Sequence, residues 1–209
     1  MLEGWRRRRG DADQSLATAT DEALLVLAQG GDADAFETLV RRYTQPLYAF
    51  ATRILGSADD AADVAQHTFV QCYHTLPRLR SDTALRPWLY RVARNRCLDL
   101  LRQRKTLPID RPRQDEEELD ALATIADTGP SLESLAERRD LQRLLADAIA
   151  ALPPKYREVV VLRYEGELTF GEIAETLGIP ENSAKTLFQR AKTMLRLSLR
   201  AWMRDEGEV

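Results

Sequence analysis

The stretch TLPIDRPRQDEEELDALATIADTGP, residues 106–130, constrains the fold more than any other. On both sides of it apolar residues recur with the spacing of amphipathic helices. Strand-like alternation is nearly absent. Inside it the periodicity fails, prolines stand at Pro108, Pro112 and Pro130, and acids cluster from Asp115 to Asp120. A chain so interrupted cannot run one helical core from end to end. It is read as all-α, with two small helical domains joined by a flexible acidic linker. The expected boundaries are a disordered tail at 1–20, a first domain at 21–105, the linker at 106–131 and a second domain at 132–205. Each domain is short, so each core is modest.

In the first domain Ala35, Phe36, Leu39, Val40 and Tyr43 form one apolar stripe behind an Asp32 N-cap, and Pro46 is expected to kink or restart that helix. Val64, Ala65, Thr68, Phe69, Cys72 and Leu76 form a second stripe, stopped by Pro77. A third helix is expected from near Pro87 to about Arg104. Along it Leu89, Val92, Ala93, Cys97 and Leu100 gather on one side, and Arg91, Asn95, Asp99 and Arg102 on the other. Trp88 projects toward the polar stripe. Two readings stand there: an aromatic that holds an unstacked base beside cations, or a tryptophan closing the edge of the core.

Net charge is −3, which says nothing for nucleic acid, but its distribution does. Between Arg78 and Lys105 basic residues crowd together, with only Asp82 and Asp99 opposing them in that span. A second basic block runs from Lys185 to Arg204. No apolar run is long enough to span a bilayer, and none follows the arginines at 6–9, so a cytoplasmic protein without membrane insertion is expected. Two cysteines make no disulfide framework, and Cys72 lies too irregularly beside His67 and His74 for a metal site. Buried reduced thiols are expected. No glycine-rich phosphate loop or nucleophile set appears, so no enzyme, cofactor, metal or small-molecule substrate is expected.

In the second domain Leu141, Leu144, Leu145, Ala148 and Ile149 mark a stripe before LPPKYRE breaks the chain. Thr169 and Glu172 have the spacing of a capping box, Gly178 supplies a left-handed stop, and Pro180 launches a longer helix. This is helix-turn-helix grammar. At ~100° per residue, Ala184, Phe188, Ala191 and Leu195 share one face, flanked by Leu187 and Met194. Lys185, Thr186, Gln189, Lys192 and Arg196 lie opposite, with Arg190 at the edge. Cations suit phosphates, while amides and hydroxyls suit base edges in a major groove.

The segments AQGGDADAFETLVRRY, DDAADVAQHTFVQCYHTL and LRPWLYRVARNRCLDLLR, followed by ALPPKYREVVVLRYEGELTFGEIAETLGIPENSAKTLFQRAK, resemble the extracytoplasmic-function sigma factors of bacterial RNA polymerase over about 21–203. The resemblance implies a dissociable specificity subunit that binds core RNA polymerase at the β′ clamp and the β flap. It would direct initiation by recognising −35 duplex DNA and melting the −10 element. Asp63, Val64, Gln66 and Phe69 match the segment that docks on the clamp coiled coil, although Asp63 also reads as a helix-start acid. The loop Leu79, Arg80, Ser81, Asp82, Thr83 and Ala84, with Trp88, Arg91 and Asn95, matches the part that melts and reads −10 DNA. Ser183, Lys185, Thr186, Gln189 and Arg190 match the −35 positions. The linker would thread the polymerase cleft, mimicking RNA there or serving as a solvated tether, and an anti-sigma factor is an admissible partner. Leu187 stands where the family often has arginine, Leu79 where an aromatic is common, and His67 where glutamate is frequent. The competing reading is a stand-alone helix-turn-helix regulator, for which the sequence offers no dimer helix and no effector domain.

Overall fold

Polar side chains set the helix starts. In the computed structural model, which describes residues 15–80, 84–106 and 132–205, Thr20 caps α1 (Asp21–Gln29) and Asp32 caps α2 (Ala33–Leu55). The Asp32 carboxylate accepts from the Ala35 amide at 3.0 Å. Ser57 caps α3 (Ala58–Thr75) in the same way, and a 3₁₀ turn, Leu76–Arg78, carries Pro77. Then come α4 (Leu85–Thr106), α5 (Leu132–Ala150), α6 (Pro154–Tyr164), α7 (Phe170–Leu177) and α8 (Glu181–Asp205). Among the described residues there is no strand. The expected linker, 106–131, lies almost wholly outside them, as does the tail up to residue 14.

Pro46 neither ends nor restarts a helix: α2 runs through it to Gly56, whose φ of 63° closes the helix. Tyr43 and Leu47, on either side of the proline, and Phe50 and Ile54 beyond it, are all buried. Packing along that face outweighs the amide hydrogen bond that proline cannot make. The second stripe is buried as read at Val64, Ala65, Thr68, Cys72 and Leu76. The third helix begins two residues before Pro87 and buries Leu89, Ala93 and Cys97. Both thiols are buried and free, as expected.

The stripe in α5 behaves differently. Ala148 and Ile149 are buried, but Leu141 and Leu145 remain 62% and 42% exposed. Apolar spacing marks a face that can be covered; here no described element covers its N-terminal part.

The two helical units share one continuous core. At its centre lies α6, where Val159, Val160, Val161 and Leu162 are all at most 1% exposed. Four successive residues point to every side of a helix, so the central turn of α6 is enclosed all round. It packs on α8 in its own unit and on α2 in the other. The α7 helix likewise packs on α8 and on α4.

Candidate nucleic-acid and polymerase interfaces

The helix-turn-helix is built by local chemistry. Thr169 Oγ1 accepts from the Glu172 amide at 3.3 Å, and Glu172 Oε2 accepts from the Thr169 amide at 2.7 Å, which completes the capping box. Gly178 adopts a φ of 66°, and the Ile179 amide donates back to Ala174 O at 3.0 Å. This turn delivers α8 with Ala184, Phe188 and Ala191 buried and Leu195 half-buried. Ser183, Lys185, Thr186, Gln189 and Arg190 are exposed together. Lys185 pairs with Glu181 at 2.7 Å, and the Thr186 hydroxyl donates to Asn182 O at 2.8 Å. Gln189 and Arg190 follow one turn later on the same exposed face. Leu187 is half-buried against the core, so it belongs to the packed edge of α8.

The other basic block is more heavily engaged than its sequence suggests. Leu79 is half-buried, and its carbonyl accepts from Gln29 Nε2 at 2.6 Å, while Leu76 O accepts from the same group at 3.0 Å. Gln29, missed in the sequence, thus fixes where the loop leaves the fold. Arg80 and Ala84 are exposed, and Ser81, Asp82 and Thr83 lie outside the described residues. Trp88 is half-buried against the core, Arg91 is half-buried and Asn95 is exposed. Trp88 closes the edge of the core, one and two turns before Arg91 and Asn95.

Most arginines of α4 are committed to acids from distant parts of the chain. Arg86 Nε donates to the Tyr43 hydroxyl at 3.4 Å, and that hydroxyl also hydrogen-bonds Asp21. Burial pushes the Tyr43 phenol up to about 12, and the bond to Tyr43 raises Arg86 above its ordinary value. Arg96 donates to Asp63 at 2.7 Å, and Arg104 pairs with Asp60 and donates to Leu55 O at 3.1 Å. Arg94 pairs with Glu158 of α6 at 2.9 Å, with both side chains largely buried. Removing one partner of such a buried pair costs about 3–5 kcal/mol.

The candidate docking residues divide on α3. Asp63 and Gln66 are exposed, Phe69 is half-buried, and Val64 is fully buried. Val64 can hold the helix in place but offers no surface. Beside them Val70 and Tyr73 are 45% and 62% exposed, and Tyr73 meets Phe36 edge to face at 5.5 Å between centroids. The sequence signal for this extension was an apolar residue one step off the buried stripe.

No group of three or more metal-ligating side chains occurs among the described residues, and none of their helices is long and apolar enough to cross a membrane.

Residues 39–106 match Sigma-70 region 2, and residues 142–195 match Sigma-70 region 4. The chain is 34% identical over 171 residues to the ECF RNA polymerase sigma factor SigW of Bacillus subtilis, covering 81% of this chain and 91% of that protein. It is 30% identical over 187 residues to the ECF RNA polymerase sigma-E factor of Haemophilus influenzae, covering 88% and 97%. Among solved structures it is similar to CnrH in complex with the cytosolic domain of CnrY, with a TM-score of 0.65, 28% identity, and coverage of 87% and 97%. Two sigma regions in order on an all-α fold, with 30% or more identity to extracytoplasmic-function sigma factors over most of both chains, place this chain in the extracytoplasmic-function family of RNA polymerase sigma factors.

Proposed function

We propose that the chain divides the work of initiation between its two helical units. The unit of α1 to α4 carries core polymerase binding on α3 and −10 strand recognition at the start of α4. The unit of α5 to α8 carries −35 recognition on α8. The observation that carries this reading is the exposed set Ser183, Lys185, Thr186, Gln189 and Arg190 backed by buried Ala184, Phe188 and Ala191. A duplex reader of that kind, preceded by a separate unit with an exposed acid and amide on α3, fits a subunit that borrows its enzyme better than a self-contained regulator. Core binding would use Asp63, Gln66 and Phe69, with Val64 as their support. Strand reading would use Trp88, Arg91 and Asn95 together with residues 79–84. The chain itself would hold no catalytic group; it would act in the cytoplasm on the polymerase that does.

The β′ clamp and the β flap are the expected polymerase surfaces. An anti-sigma factor is a further expected partner; the similar CnrH is itself held in a complex with another protein, the cytosolic domain of CnrY.

Run-off transcription with core polymerase on a library of promoter fragments tests the reading. Selective transcripts that require both the chain and core are expected. Tight operator binding without core, together with no core-dependent transcript, would favour the stand-alone regulator.

A further inference from the structure

We propose that Gln29 is a positioning residue for −10 selectivity: from the end of α1 it sets where the strand-reading loop leaves the fold. Gln29 is the last residue of α1 and half-buried. Its side-chain amide donates to Leu76 O at 3.0 Å and to Leu79 O at 2.6 Å. One amide carries two N–H donors, so each carbonyl can take one. The two carbonyls mark the place where helical geometry ends. The 3₁₀ turn Leu76–Arg78 closes there, and Leu79 is extended, at φ −66° and ψ 132°. Carbonyls at the end of a helix have no partner within it. Leu79 O finds its partner 50 residues earlier in the chain. Arg80, the next residue, is exposed.

The α1 helix can serve as a bracket because it is itself fixed. Leu24 and Leu25 are fully buried, Ala28 nearly so, and the Asp32 amide donates back to Leu27 O at 3.1 Å. The helix packs on the 3₁₀ turn and on α4. Its other end meets the far side of the loop. The Asp21 carboxylate accepts from the Tyr43 hydroxyl, which accepts from Arg86 Nε at 3.4 Å. Arg86 is the second residue of α4, and Leu85 beside it is buried. Asp21 and Gln29 stand about 12 Å apart along the helix axis. One short element therefore holds both the exit at Leu79 and the return at Leu85. Attraction to a phosphate falls off gently with distance, whereas a hydrogen bond to a base edge is lost steeply. A displaced loop exit thus costs discrimination between bases more than it costs affinity.

The inference rests on −10 reading by residues 79–84 and the start of α4, and the experiment separates the two. The template is the fragment that wild-type holoenzyme selects from a promoter library. Run-off transcription compares it with single-base substitutions across its −10 and −35 elements. The ratio of parent to substituted transcript is read, which does not depend on the fraction of active holoenzyme. Gln29→Met keeps the size of the side chain without its donors, and Gln29→Lys keeps donors at similar reach. In Gln29→Met, discrimination at the −10 element is expected to fall about tenfold, the effect of two lost hydrogen bonds. Discrimination at the −35 element and core binding should hold. Gln29→Lys should restore most of the −10 discrimination. Equal losses at both elements would make Gln29 a general structural prop and overturn the proposal. So would a Gln29→Lys variant no better than Gln29→Met, or loss of all core-dependent transcription in both variants. A wild type indifferent to −10 substitutions would remove the strand-reading role itself, and the positioning role with it. Strong −10 discrimination shared equally by wild type and Gln29→Met would remove the positioning role alone.

Discussion

Asp63 and Val64 are neighbours on α3 with opposite roles. Val64 is fully buried, and truncating it costs ~1.5–3 kcal/mol of burial, so a binding defect in Val64→Ala would not separate docking from folding. Asp63 is half-exposed and paired with Arg96, an arrangement that contributes only about 0–1 kcal/mol to stability. Asp63→Arg is therefore expected to shift the urea midpoint little. At a charge-complementary interface the same reversal costs several kcal/mol, so affinity for core polymerase should fall at least about tenfold. Gln66→Ala, at an exposed position, should fall less and leave the fold unmoved. A pull-down with core polymerase beside a urea titration checks both; unchanged core binding in the two variants would remove α3 from the interface.

The two basic helices differ as elements. On α8 the proposed reading groups are exposed while Ala184, Phe188 and Ala191 are buried, so Gln189→Ala or Arg190→Ala should leave stability intact. Each base contact in a major groove carries roughly 1–3 kcal/mol of discrimination. In holoenzyme these variants should weaken the closed complex and flatten the preference for the −35 sequence. On α4 Trp88 and Asn95 sit beside an opened strand in the proposed arrangement, and stacking carries about 1–3 kcal/mol per base. Trp88→Ala and Asn95→Ala should keep closed-complex binding and slow strand opening, a defect that a template pre-melted across the −10 segment rescues. Permanganate reactivity of unpaired thymines, run beside filter binding, distinguishes the two. Normal opening with lost duplex affinity in the α4 variants would contradict their role. The α4 helix is also tied through Arg86, Arg94, Arg96 and Arg104 to three other helices: α2 at Tyr43 and Leu55, α3 at Asp60 and Asp63, and α6 at Glu158.

At the scale of the whole molecule, burial of acidic groups links stability to alkaline pH. Burial pushes the Cys72 thiol up to about 11 and the Cys97 thiol up to about 12, from an ordinary value of 9.0. Tyr43 rises to about 12, and Tyr90 is raised as well, again by burial. Above 9.0 the unfolded chain releases thiol protons that the folded chain retains, so stability is full below that pH and declines as pH climbs toward the folded values. Each thiol contributes up to ~1.4 kcal/mol of loss per pH unit in that window. Urea midpoints at neutral pH and at two alkaline points should show the decline, with a shallower slope in a Cys72→Ala, Cys97→Ala double variant. The slow reaction of both thiols with a disulfide reagent in the native state is part of the same expectation.

Local chemistry in the sequence determined the capping box, the left-handed stop and the exposed polar face of α8. Thr169, Glu172 and Gly178 act within a few residues of themselves, and the faces of α8 follow from helical spacing; neither depends on the rest of the chain. Tertiary structure decided what the charges do. The basic block from Arg78 to Lys105 reads as an open cationic surface because its acids, Asp60, Asp63, Glu158 and Glu175, lie far away in sequence. It also decided that α6 is enclosed. The run Val159–Leu162 breaks the one-sided pattern of a surface helix, but only the packing of α2 on one side and α8 on the other gives that run its reason. Periodicity records how many faces of a helix avoid water, whereas the identity of what covers them is fixed by long-range contacts that no local pattern encodes.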